Sequence, residues 1–445
     1  MPSSTPGARG RRALAAPGSR TGLCLAALVG LLVAAAAPAA APQDEVRIGI
    51  RTQRSRAIRI LQEGFRAEGE ATARANSASA DQILYNDLDL SGLFSITRGW
   101  SKEERPFDVQ AVIEGRVAVR GARVTVTGEI KDFPARRLIG KTEYQGALGN
   151  LRALVHRVAD DVVYQLTGER GIAETQIAFV AGGDKGRDLY ACDYDGYRPR
   201  RLTQGGLALS PAWAPNGARL AFSWLGTRGW SLFAVSAAGG KVETLHSGGL
   251  NISPAYSPDG TQVAFSSSFE GNSEIYALPA GGGTPRRLTK NRAIDTSPTW
   301  SPSGTQIAFT SDRGGSAQVY IMDADGGNVR RLLYSFSYTD SPDWSPKGDR
   351  IAFVVRAGGG FDIYVSDVEG RDPRLLVTGG ANENPHWSPD GRQIVFSSNR
   401  EGGRGIFVTD AEGLRIRRLS VPGPEAKTPA WSPRPAPAAT AAGLR

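Results

Sequence analysis

The chain has 445 residues, which is enough for two or three domains with well-buried cores. Its 53 Lys and Arg exceed its 44 Asp and Glu, which gives a formal net charge of +9. Four arginines lie within the first 41 residues, and the remaining excess forms no basic block. The composition therefore argues against a nucleic-acid partner.

Residues 1–41 have the pattern of a secretory signal peptide. Arginines up to Arg20 precede an apolar run over 23–37, and small residues follow it. The adjacent Arg11 and Arg12 leave both general and twin-arginine export open. No later stretch is long and apolar enough to span a bilayer, and Cys192 is the one cysteine left after cleavage. We expect an exported protein that does not span the membrane.

Residues 42–170 predict a small α+β domain. Apolar residues at helical spacing predict a helix over 151–166, and a shorter helix is expected over 80–90. Alternating patterns predict strands at 46–51, 57–61, 111–119, 123–131 and 138–144. The two helices should cover one side of a mixed sheet.

A proline-flanked aromatic motif recurs six times after this domain. Its aromatics are 43 or 44 residues apart: Trp213, Tyr256, Trp300, Trp344, Trp387 and Trp431. In five copies a Pro-x-Gly turn follows the aromatic. After the turn come an IAF-type strand, an alternating strand and an RRL-type segment. Four short strands per unit are typical of a β-propeller. We expect the aromatics to pack between units, with a ligand-stacking surface as the alternative.

The phase of the repeat predicts how the propeller closes. The first IAF-type strand, at Ile177, has no motif before it, and the last motif, at Trp431, has no strand after it. The final strand should therefore complete the first unit and remove open edges. We predict an α+β N-terminal domain over 42–170, followed by an all-β six-bladed β-propeller over 171–433 closed by its C-terminal strand. A disordered tail is expected over 434–445.

No residue pattern for catalysis stands out. The sequence has no G-x-S-x-G motif, and the three histidines, His156, His246 and His386, form no metal-binding spacing. Two D-x-D-G segments, at 193–196 and 323–326, lack the glutamate that completes a calcium loop, so we interpret them as hairpin turns. We predict no catalytic residue, no metal ligand and no enzyme. An exported propeller-fold polysaccharide lyase or hydrolase is the alternative.

The segments that enter each first strand should lie at the mouth of the central channel. The candidate binding residues there are Leu209, Asn251, Asp295, Thr296, Thr339, Asp340, Asn382, Glu383 and Lys427. Carboxylates converging on one mouth could hold a cation or meet a basic partner. The alternative is that they are solvated loop residues.

The arrangement resembles the TolB family, the periplasmic propellers of the Tol-Pal system. The resemblance rests on the WSPDG-type turns with IAF-type strands, on YQLTGERGIAETQIAFV at the domain junction, on DLYACDYDGYRPRRLT, and on DLDLSGLF and AVIEGRV. It implies a monomeric periplasmic adaptor that supports outer-membrane integrity and cell division.

The resemblance also implies partners and places them on the chain. The lipoprotein Pal would bind at the propeller mouth, where colicins could also bind and calcium could occupy the channel. TolA of the TolQRA inner-membrane complex would bind the N-terminal segment, at Glu45, Val46, Arg47 and Ile48. A scaffold for outer-membrane protein assembly is a further alternative.

Overall fold

A computed structural model describes residues 57–99, 108–183, 186–227, 229–423 and 425–436. The predicted signal peptide, the predicted strand at 46–51 and the predicted TolA-binding residues lie outside these ranges. No helix within the described ranges is long and apolar enough to cross a membrane.

The N-terminal domain is a mixed five-stranded sheet with two helices, as predicted. In chain order its elements are β1 (Ile58–Gly69), α1 (Ala73–Leu90), β2 (Phe94–Arg98), β3 (Ala111–Arg120), β4 (Arg123–Asp132), β5 (Leu138–Ala147), a 3-10 turn (Leu148–Asn150) and α2 (Leu151–Thr167). The strand order is β2-β1-β3-β4-β5, with β1 parallel to both of its neighbours. The apolar stripe of α2 is buried against this sheet from Leu151 to Val163.

Helix α1 begins at Ala73 instead of Ala80, and the short strand β2 was not predicted. The first turns of α1 bury only small side chains, Ala73 and Ser77, which carry no apolar periodicity. The helix is nonetheless held by packing, because tertiary contacts supply most of the stability of a protein helix.

The remainder of the described chain is a β-propeller, so the predicted fold class is confirmed at that level. Four separate sheets each contain four antiparallel strands: β13–β16 (Asn251–Tyr256, Gln262–Ser267, Glu274–Pro279, Arg286–Arg287), β17–β20 (Asp295–Trp300, Gln306–Ser311, Gln318–Asp323, Arg330–Arg331), β21–β24 (Thr339–Trp344, Arg350–Ala357, Gly360–Asp367, Arg374–Val377) and β25–β28 (Glu383–Trp387, Gln393–Ser398, Gly405–Asp410, Ile416–Arg418).

A fifth propeller sheet has eight strands, so the six separate blades expected from the repeat are not seen as such. Its members are β6 (Gln176–Gly183), β7 (Gly186–Asp193), β8 (Arg200–Arg201), β9 (Leu207–Trp213), β10 (Arg219–Gly226), β11 (Gly229–Ser236), β12 (Val242–His246) and β29 (Lys427–Trp431). Two repeat units are joined here by one parallel residue pair, Arg187 and Leu207.

The C-terminal strand pairs with the first propeller strand, as the phase of the repeat predicts. Strand β29 is antiparallel to β6, with Trp431 opposite Ile177 and Lys427 opposite Val180. The indole Nε1 of Trp431 donates to the Thr175 hydroxyl over 2.8 Å. Both ends of the propeller segment therefore share one sheet.

Neighbouring units also contact one another through a turn that is repeated in each unit. The third and fourth strands of each unit are joined by a turn with a glycine of positive φ, such as Gly370 at 75°. A Cβ atom on Gly370 would lie 1.9 Å from the carbonyl oxygen of Leu332 in the preceding unit. The D-x-D-G segments occupy the same kind of turn, since the Gly326 amide donates to the Asp323 carbonyl over 2.9 Å. They are hairpin turns, as interpreted from the sequence.

The N-terminal domain and the propeller share one hydrophobic core. Leu84 of α1 and Val158 of α2 belong to the same buried cluster as Phe179, Val395 and Trp431 of the propeller. Polar contacts surround this cluster: Gln393 Nε2 donates to the Leu90 carbonyl over 2.8 Å, and Arg392 pairs with Glu169 at 2.7 Å.

These contacts place the N-terminal domain on one end of the propeller. Arg392 and Gln393 follow the turn that ends the inner strand β25, whereas Glu383 begins that strand. The predicted mouth residues therefore lie at the opposite end of the inner strands from the N-terminal domain.

Candidate docking site at the propeller mouth

The inner strands divide the predicted mouth residues into two sets. Side chains alternate between the two faces of a strand, and burial follows that alternation before each Ser-Pro, Asn-Pro or Thr-Pro step. The residue two positions before the proline-flanked motif is buried in every unit: Ala208, Asn251, Asp295, Thr339, Asn382 and Ala426. The residue one position before it is half-buried: Leu209, Ile252, Thr296, Asp340, Glu383 and Lys427.

Asn251, Thr339 and Asn382 do not face a partner, contrary to the prediction. The Asn251 amide donates to the Trp230 carbonyl over 3.0 Å, and Asn382 donates to the Phe361 carbonyl over 2.8 Å. Each bond reaches the third strand of the preceding unit. Thr339 Oγ1 likewise accepts from the backbone N–H of Val319 in the preceding unit, over 2.9 Å. Buried polar groups need hydrogen-bond partners. These side chains find theirs in the preceding unit and so connect one unit to the next.

Asp295, the fourth buried residue, belongs to a closed ionic network. Its carboxylate accepts from Arg313 over 2.9 Å and from Asn291 over 2.8 Å. Asn291 also bonds to Glu274, whose carboxylate pairs with Arg287 at 2.9 Å. Burial raises the pKa of Asp295, against the opposing effects of hydrogen bonds and the Arg313 charge. Two arginines thus balance two carboxylates whose side chains are fully buried and not exposed to a ligand.

The half-buried set is the part of the prediction that remains available to a partner. Leu209, Thr296, Asp340, Glu383 and Lys427 occupy equivalent positions in five units. Ile252 occupies the sixth, within the segment Leu250–Ile252 that the family resemblance places at the mouth. The sequence signal for Ile252 was its place immediately before Ser253, the slot that the other five share.

The charges in this set differ in how they are paired. Glu383 pairs with Arg404, and Lys427 with Glu425 at 2.9 Å. The Lys427 hydrogen bond lowers the pKa of Glu425. Asp340 accepts hydrogen bonds from Thr310 over 2.8 Å and from Tyr338 over 3.2 Å, and forms no ion pair with a described lysine or arginine. The mouth therefore carries paired charges on one side and a lone carboxylate on the other.

An arginine held by two aromatic rings lies over Tyr338, and no repeated slot in the sequence marks it. The Arg356 guanidinium is 4.1 Å from the centre of the Tyr338 ring and 5.7 Å from that of Phe361. Stacking of this kind orients a guanidinium and leaves its N–H edge open for a carboxylate.

The inner strands bend inward through a left-handed residue in every unit. Ser210, Ser253, Ser297, Ser341, Asn384 and Thr428 precede the motif prolines and have φ between 44° and 54°. These six residues, and the prolines that follow them, line one central cavity of about 290 Å³. Six repeats thus contribute equivalent positions to a single cavity behind the mouth.

One side of this cavity carries titratable groups. Asp343 and His386 line it, with the His386 Nδ1 atom 3.9 Å from Asp343 Oδ2. The same oxygen accepts the backbone N–H of Trp387 over 2.7 Å. Burial raises the pKa of Asp343, although the His386 charge and the Trp387 bond oppose it. Neither residue was among the predicted binding residues, although both stand in the slot between the motif proline and its aromatic.

The described residues do not fit a calcium ion held in this channel. Calcium takes six to eight oxygen ligands, usually including several carboxylates. Asp343 is the one carboxylate among the cavity-lining residues, and no group of three or more His, Cys, Asp or Glu in the described ranges is placed to hold a metal.

The motif aromatics pack between units, as predicted. Trp213 and Trp300 are each 8% exposed, and Trp387 is 3% exposed. The indole Nε1 of Trp300 donates to the Ala255 carbonyl of the preceding unit over 3.2 Å, and Trp213 donates to the Ala430 carbonyl over 3.1 Å. These tryptophans therefore pack within the propeller core.

Comparison with known proteins matches this architecture to a family. A family model described as the TolB beta propeller domain matches residues 163–435. The chain belongs to the TolB family. The match covers the linker after α2 and all the propeller strands described above.

Curated TolB relatives and a solved TolB structure agree with this assignment. The chain is 36% identical over 210 residues to the Tol-Pal system protein TolB of Geobacter sulfurreducens, which is 44% of this chain and 49% of that protein. It is 34% identical over 196 residues to a TolB homolog of Chlorobium chlorochromatii, which is 40% of this chain and 44% of that protein. The matched segments thus span less than half the length of these curated relatives.

The structural match is more extensive. The crystal structure of TolB from Acinetobacter baumannii superposes with a TM-score of 0.74 and 26% sequence identity. The match covers 85% of this chain and 97% of the other. The α+β domain and the propeller therefore occur together in another member of the TolB family.

Proposed function

We propose that this chain is a non-enzymatic periplasmic adaptor of the Tol-Pal system. In this role it binds the lipoprotein Pal at the propeller mouth and thereby supports outer-membrane integrity and envelope constriction during cell division. Membership of the TolB family and relatives named as Tol-Pal system proteins support the proposal.

The observation that carries this proposal is the ring of half-buried residues at the mouth. Leu209, Ile252, Thr296, Asp340, Glu383 and Lys427 come from six repeat units and stand at the end of the inner strands away from the N-terminal domain. A surface with apolar, polar and charged members suits protein recognition. His156 lies in the N-terminal domain, His246 beside Phe269 and His386 in the channel. This separation does not favour a metal-dependent lyase.

We also propose that the propeller has six blades. The eight-stranded sheet then counts as two blades linked by the Arg187–Leu207 pair. An equivalent single bridge, between Phe361 and Ala381, touches two sheets that are otherwise separate. The link is therefore the ordinary contact between neighbours, and closure by β29 supplies the missing strand of the first blade.

The second part of the proposed adaptor role is TolA binding by the N-terminal segment, at Glu45, Val46, Arg47 and Ile48. These residues lie outside the described ranges, and the proposal rests on family membership. A chain beginning at Ser55 should bind Pal as the longer chain does but lose TolA. Loss of both partners would contradict this division of roles.

Pal binding at the mouth can be tested by calorimetry with purified Pal from the same organism. Ile294 is 53% exposed next to Asp295 at the mouth, and Leu375 is 48% exposed on the fourth strand of its sheet. Ile294→Arg should weaken Pal binding at least about tenfold, since it places an unpaired charge in the contact. Leu375→Arg is the matched control and should leave the affinity unchanged. Equal effects of the two substitutions would remove the mouth as the Pal site.

A further inference from the structure

The central cavity has a chemical asymmetry that docking at the rim does not explain. Its walls are mostly prolines, small residues and motif aromatics. In the slot between motif proline and aromatic, successive units carry Ala212, Ala255, Thr299, Asp343 and His386. The first two are apolar and the next three are polar, so the side chains of this slot offer hydrogen-bonding groups on one side of the cavity only.

Asp343 retains acceptor capacity that the surrounding chain does not use. Its Oδ2 accepts the Trp387 N–H over 2.7 Å, whereas its Oδ1 has only the Thr299 hydroxyl at 3.5 Å. A carboxylate oxygen has room for two hydrogen bonds. The carboxyl is 14% exposed, so a small group entering the cavity reaches it.

Charge pairing distinguishes Asp343 from the two fully buried carboxylates at the mouth. Asp295 pairs with Arg313, and Glu274 with Arg287. Asp343 forms no ion pair with any lysine or arginine in the described ranges, and its one ionisable neighbour is His386 at 3.9 Å. A carboxylate in an apolar enclosure without a cation is costly. A ligand that brings a positive charge removes that cost.

The acceptors around Asp343 match one primary ammonium group. An ammonium has three N–H donors and no acceptor. Asp343 Oδ1 and Thr299 Oγ1 supply two acceptors. His386 Nδ1 lies 3.1 Å from the Trp387 carbonyl oxygen and 3.4 Å from the Trp431 backbone nitrogen. In the tautomer that donates to the Trp387 carbonyl, the Nε2 atom of His386 is the third acceptor. One carboxylate balances one positive charge, whereas a divalent metal would need more.

We propose that Asp343, Thr299 and His386 form a subsite for the ammonium group of a lysine side chain that a docked protein partner inserts through the mouth. The inference rests on the proposed docking function and names the chemistry of the residue that enters the channel. Asp343 is the charged residue of the subsite, and the apolar walls contact the methylene chain of the lysine.

The subsite can be tested without any partner, with n-butylammonium chloride as the probe. The chain has three histidines, so carbon-13 labelling at one ring position of histidine gives three resonances. The resonance that disappears in His386→Gln is that of His386. At constant ionic strength the His386 resonance should move saturably with n-butylammonium and not with n-butanol. His156 and His246 should not move. An equal response to n-butanol, or a response to calcium chloride but none to n-butylammonium, would overturn the proposal.

Two variants test the role of the carboxylate. Asp343→Asn keeps an oxygen for the Trp387 N–H but removes the charge, and should weaken n-butylammonium binding about tenfold or more. Asp372→Asn, in an exposed turn, is the matched control and should bind as the parent does. If Asp343→Asn does not fold, Thr299→Val tests the same site and should bind severalfold more weakly. Undiminished binding by the folded variant contradicts the proposal.

The outcomes separate the subsite from the adaptor function. Absence of n-butylammonium binding by the parent protein, with intact Pal binding, would reject the subsite alone. A saturable n-butylammonium response in a protein that does not bind Pal would reject the docking partner and keep the cation site.

Discussion

The Nδ1 atom of His156 lies 2.7 Å from a carboxylate oxygen of Asp87, and both side chains are almost fully buried. The second Asp87 oxygen accepts the hydroxyl of Tyr194 over 2.9 Å. Asp87 belongs to α1, His156 to α2 and Tyr194 to the propeller. One carboxylate therefore connects both helices of the N-terminal domain to the propeller.

Removal of His156 should destabilise the protein strongly. His156→Ala leaves Asp87 buried without its ionic partner, a change that typically costs roughly 3–5 kcal/mol of the free energy of unfolding. Asp87→Asn combined with His156→Ala should cost less than the sum of the two single changes. Urea unfolding of the four proteins measures both effects, and strict additivity would show that the two groups do not act together.

The Asp160 carboxyl should make stability fall as the pH rises from about 4 to about 7. Burial raises its pKa to about 7 from the usual 3.8, although the backbone amides of Ala173 and Glu174 donate to it. Between these values the folded protein keeps a proton that the unfolded chain has lost, so the stability from this group is full at low pH and lost near pH 7.

Asp160→Asn provides the comparison. Asparagine does not titrate and keeps one carbonyl oxygen for the Ala173 amide, so the variant should lack this part of the pH dependence. Urea midpoints measured from pH 4 to pH 8 would give a shallower slope than the parent. A slope identical to that of the parent would mean that Asp160 is ionised throughout this range.

Deletion of the closing strand should prevent the propeller from folding. A chain that ends at Ala426 lacks β29, which leaves the edge of β6 unpaired and removes Trp431 from the shared core. Open strand edges promote association between molecules. We expect this chain to aggregate, as measured by size-exclusion chromatography.

The matched truncation ends at Ala436. It keeps Arg434, whose guanidinium donates to the carbonyl oxygens of Gly171 over 2.9 Å and Pro389 over 3.0 Å. Its melting temperature should equal that of the full chain. Arg434 is the first residue of the tail predicted from the sequence, and these bonds give it a place in the fold.

Gly370 and Gly402 offer a test of the contact between neighbouring units. Both have a positive φ, 75° and 78°, so alanine at either position should lose about 1 kcal/mol to backbone strain. At Gly370 the added Cβ would also meet the Leu332 carbonyl at 1.9 Å, whereas at Gly402 it meets nothing within 4 Å. Gly370→Ala should therefore lower the melting temperature clearly more than Gly402→Ala. Equal losses would mean that the units separate slightly at no cost.

The propeller was predictable because each unit has similar residues at the positions that pack against its neighbour and that form its turns. The motif aromatic fills the space between units, and the Pro-x-Gly turn after it reverses the chain. Gly260, for example, has φ of 72°, and its amide donates to the Ser257 carbonyl over 2.9 Å. The N-terminal half of α1 has no such signal, because Ala73 and Ser77 are buried without being large and apolar.

The mouth was only partly predictable, because polarity at a strand end does not reveal which way a side chain points. Asn251 and Asn382 look like exposed loop residues in the sequence, yet both are fully buried. Their amides satisfy carbonyl oxygens of the preceding unit, a partnership that exists only after the units have stacked. The Asp343–His386 pair was missed for a similar reason, since the two residues stand 43 positions apart and meet only when neighbouring units have stacked.

The pairing of β29 with β6 also constrains how the protein is made. The Gln176 amide donates to the hydroxyl of Ser432, 256 positions further along the chain. Contacts between such distant residues slow folding, because a long loop must close before they form. The first sheet cannot be completed until β29 has been synthesised. Until then, the edge of β6 stays unpaired. With the signal peptide predicted over residues 1–41, this delay would favour passage across the membrane before the native state forms.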